Sequence, residues 1–268
     1  MQTPNTVAKS PFPFRLGCTS YVIPADIVPN VEKMAPLVDD IELVLFESPQ
    51  LSNIPGRETV RRLQELADAH GITYSVHFPT THKAGSADPA NRQRFADDVR
   101  RVYERMNTLP VSGYVLHGEW DDRHVGPAQR AAWFGGCEET FARIAGTVVD
   151  RGDREKVCVE SLGYPWAWIE PLVRGNGFSS CLDVGHAWLY RGREWAGDAV
   201  SCGALCRIVH LHGVSRGRDH LSIAAMNGSR LERLRSLFLD VYSGVVTLEV
   251  FNEHDTFSSI ELLDNLYR

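Results

Sequence analysis

The chain alternates between two hydrophobic patterns. Eight short runs are nearly continuously apolar: FRLGCTSY (14–21), IELVLFE (41–47), ITYSVHF (72–78), GYVLHG (113–118), KVCVESL (156–162), SSCLDVG (179–185), RIVHLHG (207–213) and VVTLEV (245–250). Between them apolar residues recur at helical spacing: Val60, Leu63 and Leu66; Phe95, Val99, Val102 and Met106; Leu231, Leu234, Leu237, Phe238 and Val241. Strands buried on both faces and joined by helices form a parallel sheet, and eight such units in about 250 residues predict a closed (β/α)8 TIM barrel of the α/β class. The competing open doubly wound sheet is disfavoured because the first strand-to-helix turn, SYVIPADIVPN, has no GxGxxG. Residues 1–13 read as a flexible tail and 14–268 as a single catalytic domain, with loops expected at ADPANRQ (87–93) and GEWDDRHVGPAQ (118–129).

Ionisable residues fall where a parallel barrel builds its site, near the carboxyl ends of the strands. Glu47, His77, His117, Glu160, Asp183 with His186, His212 and Glu249 each lie close to the end of an apolar run. Burying such groups without partners costs several kcal/mol, roughly, so their arrival at one rim implies mutual compensation or a cation. Glu160, Asp183, His212 and Glu249 offer three carboxylates and an imidazole, a donor set suited to Mn²⁺, Co²⁺, Mg²⁺ or Zn²⁺. His77, His117 and His186 exceed what one ion needs, and imidazoles added to carboxylates suit a second zinc-like ion or an anionic substrate. His220, beside Asp219, is a further candidate, and Arg216 and Arg218 are placed to clamp a phosphate. Asp183 has a competing role as a helix N-cap, and Gly185 is expected to let the chain turn so that His186 faces the cavity. His70, His82, His124 and His254 lie away from strand ends and read as surface residues.

Composition narrows the partners. The net charge of −6 and pI near 5.9 supply no positive excess for holding long nucleic acid. The first residues contain no apolar signal-peptide core, and no later run approaches roughly 18 apolar residues, so a cytoplasmic protein with no membrane partner is expected. The six cysteines read as reduced residues, and Cys202 and Cys206 make a weak zinc pair that is set aside.

The strings VESLGY, CLDVGHAW, HLHGV and VVTLEVF resemble the fifth to eighth strand ends of the xylose-isomerase-like, endonuclease IV-like barrel superfamily. RLGCTSYVIPADIVPNV, DDIELVLFES, YSVHFP, VLHGEW and GRDHLS are similar, within it, to the cobamide-remodelling phosphodiesterases (CbiR). The resemblance implies that Glu160, Asp183, His212 and Glu249 are metal ligands and that His77 and His117 are the extra ligands of a multinuclear centre. It makes His186 and His220 further ligand or phosphate-contacting positions. The endonuclease IV branch has an aspartate two residues before the histidine matching His220, where this chain has Arg218, with Asp219 adjacent.

Two chemistries follow. In the first, one or two Zn, Mn or Co ions serve hydrolysis of the nucleotide loop of a cobamide, giving cobinamide and an α-ribazole-type phosphate, with His186, His220 and Arg218 on the phosphate. In the second, one ion binds a sugar while Glu160 and Glu249 exchange a proton, as in an isomerase or epimerase. The expected partner is a small molecule, a corrinoid or a sugar phosphate. A binding module is the remaining reading, with Tyr21, Trp120, Tyr164, Trp166, Trp188 and Tyr190 lining a pocket for a flat ligand.

Overall fold

The computed structural model describes residues 9, 11–119, 126–148, 151–226 and 228–268. Eight parallel strands close into a barrel: β1 (Arg15–Thr19), β2 (Asp40–Val44), β3 (Thr73–His77), β4 (Val111–Leu116), β5 (Val157–Glu160), β6 (Ser179–Asp183), β7 (Cys206–Leu211) and, after a two-stranded excursion, β10 (Val245–Leu248), which pairs with β1 and β7. Each of the eight apolar runs supplies one barrel strand. The excursion is an antiparallel hairpin, β8 (Gly213–Ser215) and β9 (Arg218–Leu221), in the segment that follows β7.

Alternation along the strands separates two environments. Outward residues such as Ile41, Leu43, Tyr74, Val76, Val209, Leu211, Val246 and Leu248 belong to one buried cluster with the surrounding helices. These include α1 (Ile27–Met34), α2 (Arg57–His70), α3 (Pro89–Met106) and α4 (Pro127–Thr147). Inside the barrel, Val115, Cys158, Cys181, Ile208 and Val245 form a separate apolar layer. Below it, at the amino ends of the strands, the buried Asp40 carboxylate accepts from Ser75 N at 2.9 Å, Ser75 Oγ at 2.7 Å and Ser112 Oγ at 2.7 Å, and also from Thr73 Oγ1. Four donors satisfy a charge that would otherwise be costly to bury. The apolar middle layer places the remaining inward polar residues at the carboxyl mouth.

Several helix boundaries differ from the sequence reading. The expected loop at 87–93 ends early, because Asp88 caps α3 by accepting from Ala90 N at 2.9 Å and Pro89 occupies the first turn. The loop at 118–129 likewise gives way to α4 at Pro127, with residues 120–125 outside the described set. In α9 (Gly228–Leu237) Leu231 and Leu234 are buried as expected, but Leu237 and Val241 are exposed. The helix stops at Leu237, and the turn that follows changes phase and buries Leu239 instead. Of the segment read as a tail, residues 1–8 and 10 lie outside the described set, while Lys9 donates to the Ala35 and Val38 carbonyls and Phe12 stacks on Phe14. The six cysteines are unbridged, and no helix is long and apolar enough to cross a membrane among the described residues.

Replacing Asp40 with Ala leaves Ser75 N–H without its acceptor inside the barrel, so Asp40→Ala should lower unfolding free energy by about 1–3 kcal/mol. Chemical denaturation checks this, and the metal content of the folded variant should match that of the wild type, because Asp40 lies at the opposite end of the barrel.

Candidate metal centre

At the carboxyl mouth, Glu160 ends β5, Asp183 ends β6, His77 ends β3, and His117, His212 and Glu249 follow β4, β7 and β10 directly. His186 lies in α7 (Val184–Tyr190), and His220 lies in β9. The structure brings all eight of these candidates together. Glu160 is their hub, with different neighbours at its two oxygens. Its Oε2 lies 3.0 Å from His117 Nε2 and 3.4 Å from His77 Nε2, and those two nitrogens are 3.1 Å apart. Its Oε1 lies 3.4 Å from His186 Nδ1, which is 3.0 Å from Asp183 Oδ2.

Neighbouring groups fix how several imidazoles face this space. His77 Nδ1 donates to the Phe78 carbonyl at 2.9 Å, which turns Nε2 to the centre. His117 Nδ1 is held 3.2 Å from Glu119 Oε1, and His220 Nδ1 donates to the Glu249 carbonyl at 3.0 Å. His212 differs, because its Nδ1 accepts the His220 backbone N–H at 3.0 Å and its Nε2 faces Asp183 Oδ1 at 3.3 Å. Coordination through that Nε2 calls for the other tautomer, with Nδ1–H turned to the Gly213 carbonyl 3.4 Å away.

Asp183 performs two tasks with separate atoms. Oδ1 accepts the His186 N–H at 2.6 Å and caps α7, while Oδ2 is buried with no hydrogen-bond donor. Gly185 has a different role from the expected one: it is helical, and its φ is not positive. A β-carbon there would lie 2.0 Å from His212 Cε1, so glycine is required by the close approach of the imidazole. In the hairpin, Arg216 and Gly217 both have positive φ, 51° and 77°, as the tight turn demands, and His220 has φ 50°. His220 is thus a strained residue next to the centre.

Burial and charge oppose each other here. Burial alone would lower the His117 pKa, but Glu160 and Glu119 outweigh it and push it up to about 10. Burial is likewise overcome at His186, where Asp183 and Glu160 raise the pKa to about 9. Burial would raise Glu160 and Glu249, yet His117 holds Glu160 well below the usual carboxylate range and His210 does the same for Glu249. Asp183 Oδ2, His186 Nδ1, His212 Nε2 and Glu249 Oε2 are all buried without a hydrogen-bond partner. Unpartnered donor atoms of ligand type converging on one space fit a divalent cation.

Among the described residues, groupings of ligand atoms within 4.8 Å of one another include His77, His117 and Glu160; Glu160, Asp183 and His186; His186, His212 and His220; and, around His210, Glu160 with Cys181 and Glu42 with Glu249. Asp219 Oδ2 is 3.8 Å from His186 Nε2, so the carboxylate adjacent to His220 also reaches this edge. Arg218 sits at the exposed hairpin end, outside the buried cluster. Glu47 stands apart, with Oε1 3.4 Å from Arg101, and His82 pairs with Asp98 at 2.7 Å. His254 is exposed, and His124 and Trp120 lie outside the described residues.

Two buried residues of the site were absent from the sequence reading. Glu42 of β2 and His210 of β7 meet inside the barrel, with His210 Nε2 2.8 Å from Glu42 Oε2. Their signal was an ionisable residue at an inward position of an otherwise apolar strand, two residues before a strand end in the case of Glu42 and one in the case of His210. Glu119 was also missed. Of the rim aromatics, Tyr164, Trp166 and Trp188 are buried packing residues, and Tyr164 OH donates to the Gly118 carbonyl at 2.8 Å, steadying the loop after His117. Tyr21 is tied to Asn53, and Tyr190 remains exposed.

A family profile described as xylose isomerase-like TIM barrel matches residues 38–266. The chain belongs to this family. No curated protein matches it significantly in sequence. Among solved structures, this xylose isomerase-like barrel is similar to a D-tagatose 3-epimerase-like protein, with 21% identity, TM-score 0.73, and coverage of 95% of this chain and 97% of that one. It is similar to endonuclease IV from Thermus thermophilus, with 15% identity, TM-score 0.66, and coverage of 94% and 98%. A second Thermus thermophilus protein, soaked with ZnCl2, shares 18% identity, TM-score 0.70, and coverage of 94% and 97%. At these identities the likeness is one of fold.

The close approach at Gly185 and the raised imidazoles each give a testable outcome. Gly185→Ala should displace the His212 imidazole, cost about 1–3 kcal/mol of stability and reduce bound metal, as read by thermal melting and elemental analysis. The second outcome concerns pH in chelator-treated protein. His117 and His186 are raised from 6.5 to about 10 and about 9, so their contribution is full below 6.5 and is lost as pH climbs through those values. The melting temperature of the chelated protein should therefore fall between pH 6.5 and 10, whereas added zinc, which needs deprotonated imidazoles, should protect increasingly over the same range.

Proposed function

We propose that this family member is a metal-dependent phosphodiesterase that hydrolyses the nucleotide loop of cobamides. The observation that carries the hydrolase reading is the two-sided environment of Glu160: His77 and His117 gather at one oxygen, and His186 with Asp183 at the other. A carboxylate with a separate donor cluster at each oxygen is suited to bridging two ions. Proton transfer on a sugar needs one ion and gives His77 and His117 no task.

In this reading Glu160, His77 and His117 would hold one ion, and Glu160, Asp183, His212 and Glu249 the other. Divalent ions supply Lewis acidity, which makes water acidic enough to lose a proton near neutral pH and neutralises charge developing on phosphoryl oxygens. The chain's own residues do the rest. Glu119 keeps His117 Nε2 aimed inward, and Asp183 orders α7 so that His186 faces the cavity. His186 turns Nδ1 to Asp183 and Glu160, so its other ring nitrogen, Nε2, is the one able to donate to a phosphate oxygen or to the leaving oxygen. His220 presents Nε2 on the same side, since its Nδ1 is committed to the Glu249 carbonyl, and Arg218 lies exposed nearby to pair with the phosphate.

The cobamide assignment draws support from the strand-end and loop strings that resemble the cobamide-remodelling enzymes. It is also supported by two exposed aromatics beside the phosphate-binding imidazoles, Tyr190 at 5.8 Å from the His186 ring and Phe251 at 5.1 Å from the His220 ring. A large flat corrinoid would find apolar faces there.

One observation favours a second reading, a sugar isomerase or epimerase. Glu160 and Glu249, the two carboxylates that would exchange the proton, lie close together, 3.5 Å and 3.3 Å from the common atom His210 Nδ1. Incubation of the zinc-, manganese- or cobalt-loaded protein with an adenosylated cobamide and, separately, with a panel of ketoses separates the readings. Cobinamide and an α-ribazole phosphate by mass support the hydrolase; ketose interconversion with intact cobamide overturns it. His117→Ala should remove one ion per chain and at least about 100-fold of hydrolysis, and Glu160→Gln should abolish turnover. Full metal content in His117→Ala would contradict the two-ion arrangement.

A further inference from the structure

Beneath the ligand cluster lies a pair of ionisable residues that the proposed reaction does not use. Glu42 and His210 are both fully buried on strands separated by β1 and β10, and they reach each other across the barrel interior. His210 Nε2 is 2.8 Å from Glu42 Oε2. On the other side of the ring, Nδ1 lies 3.3 Å from Glu249 Oε2 and 3.5 Å from Glu160 Oε2, with no hydrogen bond fully formed to either. The same region of the barrel is apolar just below, where Ile208 and Val245 precede His210 and Thr247 on their strands. A pair of apolar residues would serve packing at least as well as a buried ion pair, so stability alone does not account for Glu42 and His210.

We propose that Glu42 and His210 are positioning residues, with Glu42 orienting the His210 ring so that Nδ1 holds the inner oxygens of Glu160 and Glu249 in the arrangement an ion requires. The ring spans the gap between the three carboxylates, with Nε2 against Glu42 and Nδ1 facing Glu160 and Glu249. The chain Glu42–His210–Glu249/Glu160 fixes two ligands from below, as Glu119 fixes His117 from the side. This inference rests on the metal-dependent reading of the centre.

Two isosteric substitutions separate positioning from packing. Asn places its amide nitrogen near the site of histidine Nδ1, and Gln places its own near the site of Nε2. His210→Asn keeps the donor facing Glu160 and Glu249; His210→Gln keeps the one facing Glu42. In His210→Asn, which keeps the donor to the ligand carboxylates but loses the Glu42 contact that aims it, zinc affinity by chelator competition should weaken about tenfold. In His210→Gln, which loses the donor itself, zinc binding should weaken about 100-fold and the visible spectrum of cobalt-loaded protein should change. Equal affinities in the two variants would overturn the proposal, and so would loss of a whole ion in both, which would make His210 a ligand. If neither variant folds, Glu42→Gln, which keeps the volume, carries the test: zinc binding about tenfold weaker or more supports the pair, and unchanged binding overturns it. Wild-type protein that binds no zinc, manganese or cobalt overturns the metal-dependent reading itself, whereas wild-type binding with unaltered variants overturns only the role of the pair.

Discussion

Carboxylates and imidazoles from separate strands are pressed together at one mouth of the barrel, and their mutual compensation is the constraint on which the rest of the structure depends. Removing such groups from water is expensive, and like charges brought together raise the cost further. The raised imidazoles of His117 and His186 and the depressed Glu160 and Glu249 carboxylates are one solution, in which protons on histidine balance the acids. A divalent cation is a better one, because it also satisfies the buried atoms of Asp183, His212 and Glu249 that lack partners. Metal binding and proton release would then be two faces of one equilibrium.

The barrel is arranged to make that crowding tolerable. The apolar layer of Val115, Cys158, Cys181, Ile208 and Val245 separates the mouth from the Asp40 network at the other end, so each polar cluster settles its own charge. Local devices then aim individual side chains: Asp183 divides its oxygens between a helix cap and the cavity, Gly185 makes room for His212, and Glu119 holds His117. A strained His220 completes the edge from a hairpin inserted after β7.

Much of this was legible in the sequence for a physical reason. Strands buried on both faces must be apolar, so Glu160, Asp183 or Glu249 at the end of such a run stands out against its neighbours, and the fold follows from the same runs. Glu42 and His210 were harder to recognise because they sit inside runs, where alternation toward a barrel axis is masked by apolar residues facing the helices. Glu47, one of the ionisable residues near a run end, proved to pair with Arg101 away from the cluster, since β2 stops at Val44 and the chain has already left the barrel. The β8–β9 hairpin escaped notice because its three- and four-residue strands carry little periodicity. The helix phase after Leu237 was lost because a pattern of spacing does not reveal where a helix breaks.

The most direct test of the central claim is anomalous diffraction at the zinc edge from crystals grown with zinc. The account predicts peaks within about 2.0–2.3 Å of donor atoms of Glu160, one shared with His77 and His117 and one with Asp183, His212 and Glu249. Peaks confined to other surfaces of the molecule, with Glu160 ligating none of them, would contradict it.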